Sequence, residues 1–207
     1  MGFKIINKDE WNRREYFDYY LYEVPCTYSM TVKLDITKLK NSNQKIYPKM
    51  IHSITKVVNN HSEFRSAFDV EGRVGIFNEM IPCYTIFNNK TETFSNLWTE
   101  YNKDYDIFLK AFNKDMEEFG NANKIHAKPN IPDNNFPISM IPWTTFEGFN
   151  LNLKNGYNYL SPIFTMGKYY KENEKYLLPL AIQVSHAVCD GFHVCRFINE
   201  LQELLHI

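Results

Sequence analysis

The chain has 207 residues, of which 44% are hydrophobic and 16% aromatic, a size and composition that suit one domain with a large core. Its formal net charge of −1 at pH 7 gives no electrostatic reason to expect binding to nucleic acid or to an anionic membrane. The four scattered cysteines, Cys26, Cys83, Cys189 and Cys195, are too few for a disulfide framework in a chain of this length.

The first residues, MGFKIINKDEW, become charged after six positions and lack the apolar run of a signal peptide. No apolar stretch approaches the roughly 18 residues that a membrane span needs. We therefore expect a soluble protein of the reducing cytoplasm, with neither a membrane nor a nucleic acid as partner.

The N-terminal part of the chain predicts helices and strands in alternation. Asn7, followed by Asp9 and Glu10, has the features of a helix start, and this helix is expected to end near Pro25. Hydrophobic spacing then predicts a strand at 26–37, a helix at 47–60, short strands at 66–70 and 73–78 around a turn at 71–72, and a strand at 84–87.

The C-terminal part continues this alternation. Hydrophobic spacing predicts a helix within 95–119, an exposed loop at 121–135, strands at 136–143, 145–153 and 159–170, a turn at 172–174 and a long apolar strand from 175. Asp190 then caps a last helix with the apolar stripe Val194, Phe197, Ile198, Leu201 and Leu205. The predicted fold class is α/β, with a mixed β-sheet backed by helices in one domain over residues 1–207.

The decapeptide VSHAVCDGFH (184–193) contains the main candidate for chemistry. It places His186 where the last strand ends, and functional side chains collect at strand ends in open α/β sheets. Histidine can take up and return a proton near neutral pH, and Asp190 suits both an N-cap and an ion-pair partner. From these ten residues alone, a catalytic base and a buried structural histidine are comparably good interpretations.

A zinc site is a weaker interpretation of the same segment. His186, Cys189, His193 and Cys195 are possible ligands, but their spacing matches neither the paired C-x2-C nor the H-x3-5-H pattern. His193 and Cys195 would also face different sides of the helix that begins at Asp190. We therefore expect no metal site.

The segment HAVCDGFH, followed by RFINELQEL, resembles the chloramphenicol acetyltransferases of the trimeric, HxxxDG-bearing type among the CoA-dependent acyltransferases. Other segments resemble that family in the same order along the chain: WNRREYFDYY, VPCTYSMT, TETFSNLW, SMIPWTTFEGFNLNL and PIFTMGKYY. The resemblance runs from Trp11 to Leu204. It implies the acyltransferase fold and an enzyme of antibiotic resistance that acetylates chloramphenicol, with acetyl-CoA as co-substrate and no tightly bound cofactor.

The resemblance also implies roles for individual residues. His186 matches the base that takes the proton from the C3 hydroxyl of chloramphenicol, with its other ring nitrogen held by its own backbone carbonyl. Ser139 matches the hydroxyl that hydrogen-bonds the tetrahedral oxyanion, and Thr165 matches the residue that holds a water there. Arg13 and Asp190 match a buried ion pair that supports the site, and loss of one member should cost on the order of 3–5 kcal/mol.

Positions that contact ligands follow from the same matches. The positions that match the acceptor pocket are Tyr20, Cys26, Tyr28, Phe94, Phe149 and Leu151. Trp143 and Tyr169 match residues along the CoA channel, with Tyr169 near the adenine, although ordinary core packing is an alternative for Phe149 and Trp143. Because the chain has one lobe where larger relatives have two, the resemblance implies a homotrimer with active sites at subunit interfaces.

Two positions depart from the family pattern. Ser185 stands where a second histidine is common, and we expect little effect because neighbouring strand residues face opposite sides. Pro137 stands where an asparagine is common, which removes a polar side chain and a backbone donor near the pocket. Affinity for the acceptor is the property that this second change is expected to alter.

Two alternatives to chloramphenicol acetylation follow from the same residues. One is acetyl transfer to another hydroxylated small molecule. The other, from a different class, is a non-catalytic protein that binds hydrophobic antibiotics or CoA without turnover. The combination of His186, Ser139 and Thr165 argues against a pure binder, because a binder needs neither a base nor an oxyanion donor.

Overall fold

The structure, a computed structural model, describes residues 2 to 206 and contains two β-sheets and a set of helices. The strands are β1 (Phe3–Ile5), β2 (Thr27–Asp35), β3 (Ser66–Phe68), β4 (Val74–Phe77), β5 (Ile81–Asn88), β6 (Thr93–Trp98), β7 (Asn135–Met140), β8 (Ile163–Met166), β9 (Tyr170–Glu172) and β10 (Lys175–Ser185). The helices are α1 (Arg14–Asp18), α2 (Thr37–Asn41), α3 (Ile46–Asn60), α4 (Tyr105–Phe119) and α5 (Gly191–Leu205).

The main sheet has seven strands in the order β2-β10-β8-β7-β5-β6, with β9 paired to β10. The strand β7 lies parallel to both β5 and β8, whereas β10 is antiparallel to β2, β8 and β9. A smaller antiparallel sheet has the order β1-β4-β3. This arrangement confirms the prediction of a mixed sheet backed by helices.

The two faces of the main sheet differ in character. Along β10, the core face carries Leu178, Leu180, Ile182 and Val184, all at most 2% exposed, which join the apolar core formed with α3, α4 and α5. Thr165 and Ala181 are cross-strand partners and therefore share the opposite face, together with Ser139. The chemically interesting side chains of the sheet thus lie on the face that the helices leave open.

A buried polar chain ties α4 to the edge of the main sheet. The Asp115 carboxylate accepts hydrogen bonds from the Thr99 hydroxyl at 2.7 Å and from Nζ of Lys128 at 2.8 Å. The hydroxyls of Tyr84 and Thr99 lie 2.7 Å apart. Because every member of this chain has a partner, its burial carries no unsatisfied charge.

The N-terminal region differs from the single helix that the sequence predicts. Asn7 does cap a helical turn, since its side chain accepts the Asp9 N–H, but this turn is a 3-10 turn that ends at Trp11. The extended backbone of Trp11 (φ −91°, ψ 112°) interrupts the helix, which resumes as α1 and continues into one turn of π-helix at Tyr19–Glu23. Among residues 2–206, no helix is long and apolar enough to cross a bilayer.

Two further predictions of secondary structure were wrong. Residues 95–98 belong to β6, where the buried Ser95 and Leu97 follow the two-residue period of a strand, and the helix begins only after Asp104, whose side chain caps it. Residues 145–153, predicted as a strand, form part of an irregular segment at 141–162. The short elements β1 and α2 were not predicted.

Candidate active site

His186 directly follows the last residue of β10, at the strand end where the sequence places it. Its backbone N–H donates to the Cys26 carbonyl at 3.1 Å, which holds it beside the start of β2. Its imidazole ring stacks on the Tyr20 ring with the ring centres 3.8 Å apart, and meets the Tyr28 ring edge-on at 5.3 Å. The ring is therefore enclosed by aromatic groups, and 27% of the side chain is exposed.

The two ring nitrogens of His186 have different surroundings. Nδ1 lies 3.2 Å from the Cys189 carbonyl oxygen and 3.4 Å from a carboxylate oxygen of Asp190. Because both neighbours are acceptors, Nδ1 is assigned the proton and Nε2 is left as an acceptor. This is the tautomer that a general base requires.

The structure places the Cys189 carbonyl 3.2 Å from Nδ1, a possible acceptor in addition to the carbonyl of His186 that the resemblance implies. The carbonyl of His186 also accepts a hydrogen bond from Nη2 of Arg13 at 2.9 Å. The tight turn between the end of β10 and α5 brings the Cys189 carbonyl back over the ring. With either carbonyl as acceptor, the proton is on Nδ1 and Nε2 is unprotonated.

The pair of Arg13 and Asp190 is present, and Arg13 holds both ends of the turn at 186–190. The Arg13 guanidinium donates to both Asp190 carboxylate oxygens, at 2.6 and 2.7 Å, and its Nε donates to the Ala187 carbonyl at 2.8 Å. The hydrogen bond and charge of Arg13 hold the pKa of Asp190 below its usual value. The Arg13 side chain is 15% exposed and that of Asp190 39%, so the pair is less buried than the resemblance implies and its contribution to stability is expected to be smaller.

The cysteines near His186 are poor candidates for nucleophiles. Burial raises the pKa of the Cys189 thiol well above its usual value and also raises that of Cys26.

Tyr28 has a buried hydroxyl for which the described residues provide no hydrogen-bond partner. Burial, followed by the nearby charges, raises the pKa of this hydroxyl, so it stays protonated near neutral pH.

Ser139 and Thr165 form a second group on the open face of the main sheet. They are cross-strand partners in β7 and β8, and Thr165 is in turn the partner of Ala181 in β10. Phe149 and Leu151 lie next to Thr165, around a crevice too narrow to admit a water molecule. The structure thus brings together the predicted oxyanion donor, the predicted water-holding residue and part of the predicted acceptor pocket.

The second group is far from His186 within one chain. At about 3.3 Å per strand residue, the five positions from Ala181 to His186 correspond to about 16 Å. A base and an oxyanion donor that act on the same reacting centre must each approach it to about 3 Å. The predicted residues therefore fall into two half-sites, one around His186 and one around Ser139.

Phe94 and Trp143 are exposed side chains near Phe87, and Tyr169 lies beside Lys40. Phe94 is 55% exposed and is the cross-strand partner of Phe87 in β5. Trp143, 59% exposed, meets the Phe87 ring edge-on with the ring centres 4.6 Å apart. Tyr169 lies next to the start of β9, with Nζ of Lys40 at 5.1 Å from its ring centre. Core packing is thus excluded for Trp143, whereas Phe149 is half-buried.

The two departures from the family pattern have distinct settings. Pro137 lies in β7 opposite Cys83, and the pairing of β7 with β8 begins at the next residue, Ile138. Ser185 is 1% exposed and is the cross-strand partner of Thr27. Pro137 thus lies in the same strand as Ser139, and Ser185 directly precedes His186.

Two residues make hydrogen bonds that support the site and that sequence analysis did not predict. Gln183 donates to the Leu151 carbonyl at 2.9 Å and accepts its N–H at 2.8 Å, which anchors the segment at 141–162 to β10. His193 accepts the Asp190 N–H through Nδ1 at 2.9 Å. A polar amide within an apolar strand and a histidine three residues after an N-cap were the available signals.

Comparisons with known proteins agree on one family. The sequence profile of the chloramphenicol acetyltransferases matches residues 1–202. A chloramphenicol acetyltransferase of Clostridium perfringens is 61% identical over 206 residues, covering all of both chains, and one of Campylobacter coli is 60% identical over the same length. A solved structure titled chloramphenicol acetyltransferase superposes with a TM-score of 0.89 at 18% identity, covering 99% of this chain and all of that one.

Proposed function

Because the chain belongs to the chloramphenicol acetyltransferase family, we propose that it transfers the acetyl group of acetyl-CoA to the C3 hydroxyl of chloramphenicol, with His186 as general base. The observation that carries this mechanism is the position of Nδ1 of His186 against the Cys189 carbonyl, which leaves Nε2 free to accept a proton. Acetylation of this hydroxyl inactivates the antibiotic, and the enzyme thereby confers resistance.

The reaction proceeds by direct attack in a ternary complex. Nε2 of His186 takes the hydroxyl proton as the alcohol oxygen attacks the thioester carbonyl carbon. The tetrahedral intermediate then collapses, the carbon–sulfur bond breaks, and the CoA thiolate accepts the proton from Nε2. The buried Cys189 thiol, with its raised pKa, takes no part, and a positioned base alone supplies about 10²–10⁴-fold in rate.

The oxyanion of the intermediate needs donors that are already in place. We assign the Ser139 hydroxyl to this oxygen and Thr165 to a water beside it, since the two residues are neighbours across β7 and β8. Tyr20, Cys26 and Tyr28 line the acceptor pocket next to the base, and Phe94, Phe149 and Leu151 line its other wall. These positions suit the nitrophenyl ring and the dichloroacetyl group of the acceptor.

Acetyl-CoA is the donor substrate, and no tightly bound cofactor is required. Trp143 and Tyr169 border its channel, where the exposed indole of Trp143 offers an apolar surface. Tyr169 is assigned to the adenine, and the Lys40 ammonium lies 5.1 Å from the centre of its ring.

The active enzyme is a homotrimer whose active sites lie between subunits. The separation of about 16 Å along β10 between the two half-sites supports this assembly, because one chain cannot bring Ser139 and His186 to the same carbon. In the trimer, His186 of one subunit faces the Ser139 half-site of the next.

The replacement His186→Ala tests the mechanism. Thiol release from acetyl-CoA should fall to the background rate with chloramphenicol, while calorimetry should find chloramphenicol binding largely retained. His206→Ala, at the exposed end of the protein, is the matched control and should keep full activity. Unchanged turnover in His186→Ala would contradict the proposed role.

Two alternative functions predict different results in the same assay. A panel of hydroxylated acceptors would give its fastest thiol release with another compound if chloramphenicol were only a poor substrate. A non-catalytic binder would release no thiol with any acceptor and would be unaffected by His186→Ala. The assignment to this family and the free Nε2 of His186 favour acetylation of chloramphenicol over both.

A further inference from the structure

One peptide group lies between two histidine rings. This peptide joins Cys189 to Asp190; its carbonyl oxygen lies 3.2 Å from Nδ1 of His186, and its N–H donates to Nδ1 of His193 at 2.9 Å. Because a peptide group is planar and its C=O and N–H point in opposite directions, the orientation of one of these groups fixes that of the other. The two imidazoles are thus coupled through a single rigid plane.

His193 occupies the position from which a helix residue reaches back to the N-cap. It is the third residue of α5, and Asp190 is the N-cap. Glutamate or glutamine usually accepts the N-cap amide from this position. Here the acceptor is an imidazole nitrogen, and since an amide N–H can only donate, Nδ1 of His193 must be unprotonated.

We propose that His193 is a positioning residue for the His186 base: its unprotonated Nδ1 holds the peptide at 189–190 in the orientation that presents the Cys189 carbonyl to His186. Donation from the amide also polarises the peptide and strengthens the carbonyl as an acceptor. The inference rests on the proposed function only in taking His186 as the base. His193 itself touches no reacting atom.

The surroundings of His193 make this role sensitive to pH. The charged groups that face its ring are the carboxylates of Asp190 and Glu63 and the guanidinium groups of Arg13 and Arg196. Burial lowers the pKa of His193, against the opposing effect of Glu63. Once protonated, Nδ1 can no longer accept the amide, and the ring is attracted instead to the Asp190 carboxylate, already 3.9 Å away, which Arg13 holds.

Two substitutions separate the acceptor from the volume of the side chain. His193→Met keeps a similar size without an acceptor for the amide and should lower kcat about 10-fold or more with little change in KM for either substrate. His193→Gln supplies the usual capping acceptor and should recover most of that loss. His206→Gln, at the other end of α5, is the matched control. A His193→Met variant with full kcat, or a His193→Gln variant as impaired as His193→Met, would overturn the proposal.

The pH profile distinguishes positioning from a general loss of structure. In the unmodified enzyme, protonation of His193 should add a fall of about one unit per pH unit in log kcat/KM at the acid end, so its profile there is steeper than that of His193→Gln, whose amide does not titrate. Equal slopes in the two proteins would contradict the coupling.

A measurement on the unmodified protein covers the case in which the variants fail to fold. With ¹⁵N-labelled histidine, His193 should give the signature of an unprotonated Nδ1 at neutral pH. A protonated Nδ1 would overturn the proposal regardless of any variant. This measurement does not depend on turnover and tests only the role of His193. An active His186→Ala enzyme would instead contradict the proposed function.

Discussion

The His186 ring has contacts on three sides, and each contact restricts a different movement. The stacked Tyr20 ring blocks motion perpendicular to the imidazole plane, and Tyr28 meets the imidazole edge-on. The Cys189 carbonyl at Nδ1 restricts rotation about the ring bond. Such confinement keeps Nε2 in one direction, which is the condition for efficient proton transfer.

The stacked Tyr20 ring should also stabilise the protonated base. When His186 takes up a proton it becomes a cation over an aromatic face, an arrangement worth about 1–2 kcal/mol when partly desolvated. Tyr20→Leu should therefore lower kcat by about 10-fold, measured by thiol release at saturating substrates. Tyr20→Phe retains the ring face and should lose less. Equal losses in both variants would show that the stack is unimportant.

The ion pair of Arg13 and Asp190 gives a prediction for stability. Asp190→Asn should lower the free energy of unfolding by about 1–3 kcal/mol in urea titrations, because it weakens two charge-assisted hydrogen bonds on a partly exposed group. Asp9→Asn is the matched control, since the pair of Asp9 with Arg14 is well exposed and should contribute less than about 1 kcal/mol.

The same pair sets the pH range of this contribution. Because the pKa of Asp190 is lowered in the folded protein, its stabilisation is complete above the ordinary carboxyl pKa of about 3.9 and is lost as the pH falls through the lowered value. The stability difference between the unmodified protein and Asp190→Asn should thus be full at pH 7 and should shrink as the pH falls below about 3.9. A difference that grows on acidification would contradict this assignment.

At the scale of elements, the irregular segment at 141–162 is held to the main sheet at several points, one of which is the Gln183 side chain. Gln183 offers Leu151 both a donor and an acceptor, as the backbone of a neighbouring strand would. The segment 145–153 has the alternating sequence pattern of a strand, but its Leu151 backbone pairs with a side chain and not with a neighbouring strand. Phe149 and Leu151 lie beside Thr165, where this amide helps to hold the segment.

Gln183→Met should release this segment while leaving β10 in place. Hydrogen exchange at 145–153 should increase, and KM for chloramphenicol should rise several-fold because one wall of the pocket becomes mobile. Gln202 makes an equivalent pair of hydrogen bonds to the backbone of Asp35. Gln202→Met should therefore affect stability without changing KM, and an equal rise in KM in both variants would refute a specific role of Gln183.

Most long elements could be predicted from the sequence, and the failures have local causes. The strand β10 and the helix α5 follow clear periods of two and 3.6 residues. Residues 95–98 were misassigned because Leu97 and Tyr101 also fit a helical spacing, and only pairing with β5 decides for a strand. His186 could be placed from its motif, but its Cys189 acceptor depends on the shape of a turn that no pattern specifies.

At the scale of the whole molecule, the decisive feature is that the helices pack on only one face of the main sheet. Helices pack on the apolar face, and the Ser139 half-site lies on the other. The length of the chain, which suits one lobe, predicts an active site shared between subunits. The distance along β10 between His186 and the Ser139 half-site supports this prediction. A neighbouring subunit would then complete the pocket and cover the open face.

Mixed oligomers test this assembly directly. His186→Ala and Ser139→Ala should each be nearly inactive alone. If the two proteins are unfolded and refolded together in equal amounts, about one interface site in four combines an intact His186 with an intact Ser139 and regains activity. Sites contained within single chains would remain inactive in the mixture. Sedimentation equilibrium should find a trimer, and a fully active monomer would exclude this assembly.

The exposed indole of Trp143 has an optical consequence. Its ring is 59% exposed beside Phe87, whereas Trp11 and Trp98 are half-buried. A molecule that binds against this indole would displace water from it and shift the emission maximum of its fluorescence to shorter wavelength. If the donor substrate binds along Trp143 as proposed, its arrival should change this fluorescence in a stopped-flow instrument without an attached dye.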